Sequence, residues 1–166
     1  MVEIIAITKG MIDEATELMQ NYGHCKNNDS VLGDKGAFYG QLGEVVFSEY
    51  LLNHKIGHLT QKGFQTERPT DDYDFKVGDK TIDVKTITGD PHDKHLVVKK
   101  SKFDNGYRSD YYVAISIDEK CSLAFICGWL SKEDVKMLPA KSFVLYNYYA
   151  RLTELREIHD LIKVLK

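Results

Sequence analysis

Asp74, Asp83 and Lys85 are the residues of this chain whose types and spacing fit catalysis. They lie in Tyr73-Asp74-Phe75-Lys76-Val77-Gly78-Asp79-Lys80-Thr81-Ile82-Asp83-Val84-Lys85-Thr86. Apolar residues alternate on either side of a Gly-Asp pair, which predicts a β-hairpin turning at Gly78-Asp79. In that register Val77 faces Lys80, Phe75 faces Ile82 and Asp74 faces Asp83. Directly opposed residues share a face, with Cβ atoms roughly 4.5–5.5 Å apart. Lys85 lies two residues beyond Asp83 and joins that face, while Phe75, Val77, Ile82 and Val84 take the other. Opposed carboxylates repel, so the pair is costly unless a cation lies between them. A divalent ion there would turn repulsion into ligation and make the hairpin a metal-dependent active site. The plain alternative is the solvated face of an edge hairpin, where Asp and Lys are common.

The elements around the hairpin must hold it. Met1 to Lys9 reads as a first strand. Met11, Ala15, Leu18, Met19 and Tyr22 have helical spacing, with Gly23 as a stop. His24 to Asp34 reads as a loop. A second helix is expected from about Lys35 to Asn53 on Phe38, Leu42, Val45, Val46, Tyr50 and Leu51. Gly40 and Gly43 within it are poor helix formers and suggest close packing on a sheet. His58 to Asp72 is a connector with a short strand near His58 to Thr60. Leu96 to Val98 reads as a short strand, and Phe103 to Asp110 as a turn around Asn105-Gly106. Tyr111 to Ile117 and Leu123 to Leu130 are nearly continuous apolar runs, as in strands covered on both faces. Ser131 and Asp134 suggest a capping box. An edge strand is expected at Phe143 to Leu145 and an amphipathic helix from Leu152 to Leu165. The expected architecture is one α/β domain over residues 1–166, a mixed sheet covered by helices.

Composition narrows the function. The 166 residues are 43% hydrophobic and 28% charged, which suits one globular domain. No apolar run is long enough for a transmembrane helix, and the start lacks the features of a signal peptide. Three cysteines without paired spacing suggest reduced thiols and a cytoplasmic setting. The net charge of −3 does not advertise nucleic-acid binding. Locally, however, Lys94, Lys99, Lys100, Lys102 and Arg108 face one acid, Asp104, and could contact phosphates. His54 and His58 are four apart, but Gly57 breaks the helix they would need to share a metal. No glycine-rich phosphate loop and no Ser/His/Asp or Cys/His motif is present. The tyrosines at 146, 148 and 149 could stack on bases, although such residues more often pad a sheet edge.

Taken together, Glu44 in Gly40-Gln41-Leu42-Gly43-Glu44, Asp74 in Tyr73-Asp74-Phe75, and Asp83-Val84-Lys85 resemble the PD-(D/E)xK nuclease superfamily. That group includes restriction endonucleases, small Holliday-junction resolvases and phage nucleases. The resemblance spans roughly Gly36 to Leu130 and departs in having Tyr73 where a proline often precedes the first aspartate. It implies a restriction-endonuclease-like fold and Mg²⁺- or Mn²⁺-dependent hydrolysis of phosphodiesters, DNA first and RNA as an alternative. By the same resemblance Asp74, Asp83 and the Val84 carbonyl would bind the ion, and Glu44 would complete its shell directly or through water. Lys85 would orient the attacking water or balance charge; beside two carboxylates it should stay protonated. Gln41, Lys99, Lys100 and Tyr107 are candidate nucleic-acid contacts, and a homodimer would suit cleavage of two strands. A nucleic-acid-binding or assembly protein without the chemistry is the competing function.

Overall fold

The computed structural model describes residues 2–22, 34–60, 73–106, 108–142 and 146–166. Strand β1 (Glu3–Ala6) leads into helix α1 (Lys9–Tyr22), whose first turn is capped by the Thr8 hydroxyl accepting from the Met11 N–H. Helix α2 (Asp34–Asn53) follows, then β2 (Leu59–Thr60), β3 (Phe75–Val77), β4 (Lys80–Thr88) and β5 (His95–Val98). Helix α3 (Lys100–Asp104) precedes β6 (Tyr111–Ile117) and β7 (Leu123–Ser131). Helix α4 (Lys132–Met137), β8 (Ala140–Ser142), β9 (Tyr146–Arg151), a 3-10 turn (Leu152–Glu154) and α5 (Ile158–Leu165) complete the described chain.

Six strands form one mixed sheet in the order β1-β7-β6-β4-β3-β2, with β4 and β6 parallel and the other pairs antiparallel. A second sheet, β5-β9-β8, is antiparallel. The expectation of a mixed sheet flanked by helices is met, but the second sheet was not foreseen. Alternation along β6 divides two cores. Val113, Ile115 and Ile117 face α1, α2 and α5, while Tyr112 and Ala114 face the second sheet with α3 and α4. Along β7 the parity changes midway: Ala124, Ile126 and Trp129 lie on the helix side, Cys127 and Leu130 on the other. The cause is a bulge, where Ala114 pairs with Gly128 but Ile115 pairs with Ile126.

Two expectations are corrected. The C-terminal helix begins at Ile158 rather than Leu152. The backbone before it is committed elsewhere: Leu152 N–H donates to the Lys94 carbonyl, and Arg156 exchanges two hydrogen bonds of 3.1 Å with Trp129. Lys100–Asp104 is a short helix that the turn reading of its neighbours passed over. The Tyr146 to Tyr149 cluster forms part of a strand, whereas the expected strand at Phe143 to Leu145 lies outside the described residues. The Ser131–Asp134 capping box is present as expected. No described helix is long and apolar enough to cross a membrane.

A polar clasp ties the hairpin to the parallel strand. Asp110 Oδ2 accepts from the Thr81 N–H at 3.0 Å and the Thr81 hydroxyl at 3.2 Å, and Oδ1 accepts from Lys132 Nζ at 2.7 Å. Burial opposes ionisation of Asp110, but Lys132 and the Thr81 donors outweigh it and hold the carboxyl below its ordinary range. A depressed native pKa stabilises the fold above the unfolded value of about 3.9, and that contribution vanishes as pH falls through the native value. Asp110→Asn should therefore cost about 1–2 kcal/mol at pH 7, and the gap to the parent should close below about pH 4. Urea unfolding of both proteins across this range is the check; a gap independent of pH would refute it.

Candidate active site

The hairpin forms in the expected register: Val77 pairs with Lys80, Lys76 with Thr81 and Phe75 with Ile82. Gly78 turns the chain at φ +58°, in the left-handed region that glycine tolerates. Phe75, Val77, Ile82 and Val84 are all buried in the helix-side core, where Phe75 meets the Phe47 ring edge-on at 5.3 Å. Asp83 and Lys85 consequently emerge on the opposite face.

At Asp74 the ladder departs from expectation. Strand β3 starts at Phe75, so Asp74 is not a strand residue facing Asp83. Its N–H donates to the Ile82 carbonyl, and its Oδ2 accepts from the Val84 N–H at 2.6 Å. The carboxylate thus bonds at the edge of β4 where the partner strand has ended. N–H and C=O of one strand residue point to the same side, so the Val84 carbonyl is also turned toward this edge. Asp74 and Val84, two of the expected ion ligands, therefore meet at one place.

Asp83 Oδ2 lies 2.6 Å from Lys85 Nζ. That oxygen is sealed from solvent and receives no well-directed hydrogen bond, so the ammonium is its principal compensation. The Lys85 side chain is 36% exposed and that of Asp83 16%. Burial pulls the Lys85 ammonium down, but the Asp83 and Asp74 carboxylates together hold it above its ordinary value. Lys85 is therefore a cation, suited to electrostatic work rather than proton abstraction.

Tyr112 was missed by sequence reading because it sits in an apolar run with no chemical pattern. It pairs with Asp83 in the parallel ladder, and its hydroxyl accepts from the Ser109 N–H at 3.2 Å. Burial, then the Asp83 charge, pushes the phenol up to about 12. Phe103 of α3 packs against Tyr112, and the Arg108 guanidinium lies 5.0 Å from the centre of the Phe103 ring. Arg108 Nε also donates to the Phe103 carbonyl. One end of the basic strip is thus connected to the wall beside Asp83.

The other expected contacts are more dispersed. Lys100 is bound to Asp104 and lies over the Tyr148 ring, and Lys99 is the residue before α3. Tyr107 lies outside the described residues. Gln41 Nε2 donates to Glu44 Oε1 at 3.3 Å, so it serves the helix acid. Among the described residues no three His, Cys, Asp or Glu side chains form a cluster able to hold a metal ion. His54 Nδ1 donates to the Tyr50 carbonyl, and His58 bonds Ser48 and the Ile56 carbonyl, so these histidines do not converge on a shared ion.

Gly43 sets the approach of α2 to β4. A Cβ there would fall 1.9 Å from Thr86 Oγ1 and 3.0 Å from Thr86 Cβ, whereas one at Gly40 would meet nothing within 4 Å. Thr86 therefore packs under the helix, on the face away from Lys85, and its buried hydroxyl has no hydrogen-bond partner. Gly43→Ala should cost about 1–2 kcal/mol through overpacking. Gly40→Ala should gain up to about 1 kcal/mol from helix propensity alone. Thermal unfolding of the two variants tests this, because equal shifts of either sign would contradict the close contact.

Comparison with protein-family models, curated proteins and solved structures finds no match to this chain.

Proposed function

We propose that this protein is a metal-dependent nuclease with a restriction-endonuclease-like fold, hydrolysing phosphodiester bonds in DNA. The observation that carries the reading is the Asp83–Lys85 pair on one face of β4, with Asp74 bound at its open edge. The donor set fits a hard cation: two carboxylates and a carbonyl offer oxygen alone, and Asp83 Oδ2 is sealed from solvent with the Lys85 ammonium as its principal partner. Asp74, Asp83 and the Val84 carbonyl would hold Mg²⁺ or Mn²⁺, with Glu44 reaching it through water. The ion supplies polarisation of the scissile phosphate and a more acidic bound water. Lys85, held protonated, stabilises negative charge building on the phosphoryl oxygens. Tyr112 and Arg108 support the wall beside Asp83.

A second reading, a nucleic-acid-binding protein without the chemistry, is favoured by one feature. Asp74 and Asp83 already spend an oxygen each on Val84 N–H and Lys85 Nζ. The two readings separate on labelled duplex, branched and single-stranded DNA and on RNA, with Mg²⁺ or Mn²⁺ added. Cleavage that EDTA stops and Lys85→Ala suppresses supports the nuclease. Binding without metal-dependent cleavage supports the alternative, and cleavage unchanged in Lys85→Ala removes the site assignment.

A further inference from the structure

The edge of β1 lies at the far end of the six-stranded sheet from the hairpin. One side of β1 pairs with β7; on its other side no described strand is bonded. Ile4 pairs with Phe125 and Ala6 with Leu123, so these side chains share one face, turned away from the helices. That face is uncovered near the edge: Ile4 is 59% exposed, Val2 44% and Leu123 39%. Across it stands the Gly89–His92 segment. Gly89 N–H donates to the Ile117 carbonyl, and Ser116 Oγ donates to the Gly89 carbonyl at 2.6 Å, which pins this wall.

Between wall and edge runs an open groove of about 520 Å³. Val2, Ile4, Pro91 and Phe125 give it apolar surface, while Asp90, Asp118 and Glu119 add carboxylates. No Lys or Arg is among the described residues lining it. An unpaired strand edge supplies main-chain donors and acceptors to an extended segment, and an adjoining apolar floor takes alternate side chains. Acids without counter-charges select the flanks of that segment. A second copy's β1 is a poor occupant, because its single charged residue is Glu3.

We infer that the open edge of β1 with its acidic apolar groove is a docking site for an extended segment of a partner protein, apolar at alternate positions and flanked by Lys or Arg. The segment adds as a further strand beside Glu3–Ala6. This surface is independent of the nuclease reading and does not require it.

The probe is a fluorescent heptapeptide with lysine at both ends, valine at its second, fourth and sixth positions and threonine between them. Its counterpart carries glutamate at the ends. Fluorescence anisotropy should show saturable binding of the lysine peptide below about 1 mM, at least about tenfold tighter than the glutamate peptide. Ile4→Ser should weaken it by about tenfold without changing the far-UV circular dichroism. The double variant Asp90→Lys with Glu119→Lys should reverse the preference between peptides. Amide NMR shifts confined to Glu3–Ala6, Leu123–Phe125 and the groove wall at Gly89, Asp90, His92, Asp118 and Glu119 would place the peptide on the edge. Equal affinity for both peptides, no saturable binding, or shifts elsewhere would overturn the inference. So would a sedimentation dimer that Ile4→Ser dissociates, which would give the edge to a second copy.

Discussion

Asp83→Ala is expected to slow metal-dependent cleavage by about 10²–10³-fold and to weaken Mn²⁺ binding in parallel. Asp83 provides the deepest candidate ligand oxygen and the nearest counter-charge to Lys85, at 2.6 Å. Its removal takes away a ligand and also lets the ammonium swing from its position. Stability should change little. The lost oxygen is compensated chiefly by the Lys85 ammonium, which keeps Asp74 nearby and access to water. Asp83→Asn preserves the shape while removing the charge, so it should resemble the alanine variant in cleavage. Single-turnover cleavage with calorimetric Mn²⁺ titration gives the decisive comparison. Activity kept at the parental rate, with ion affinity intact, would mean that the hairpin acids are not the catalytic centre.

Gly128→Ala should be the most destabilising single methyl in the described fold, at about 3 kcal/mol. Gly128 has φ +145°, which side-chain-bearing residues rarely adopt. A Cβ there would lie 2.5 Å from the Arg156 carbonyl oxygen and 2.7 Å from Leu155 Cβ. Neither obstacle is a loose side-chain end. The Arg156 carbonyl accepts from the Trp129 N–H, and Arg156 N–H returns the bond to Trp129. Relief of the clash therefore breaks the bridge that delivers α5 to the sheet. A fall in melting temperature of about 6–12 °C is expected for a chain of this size. A change within about 2 °C would show that the bulge absorbs the methyl.

Local chemistry explains which parts could be read from the sequence. The turn at Gly78-Asp79 and the alternation around it sufficed to place Phe75 opposite Ile82. The Tyr111 to Ile117 strand was legible to the residue because both its faces are apolar. The close approach at Gly43 was anticipated from a glycine in a helix, although Gly40 carried the same signal and meets nothing. The features that escaped depend on distant backbone groups. Nothing near Asp74 announces that its carboxylate will take the Val84 N–H instead of a strand carbonyl doing so. The amphipathic pattern from Leu152 onward is real, but Arg156 is held by Trp129, far away in sequence. Tyr112 gains its character only from lying beside Asp83. The residue types of the candidate site were therefore visible locally, while their wiring was tertiary.

The change of parity in β7 has a mechanical consequence for the whole sheet. A regular strand shifted by two positions still presents the same sides, so such misalignments are weakly resisted. β7 offers no such freedom: the kink at Gly128 must meet Arg156, and any sliding would carry it away from that socket. One glycine thus works as an indexing notch, fixing how β1, β6 and α5 are aligned along a single ruler.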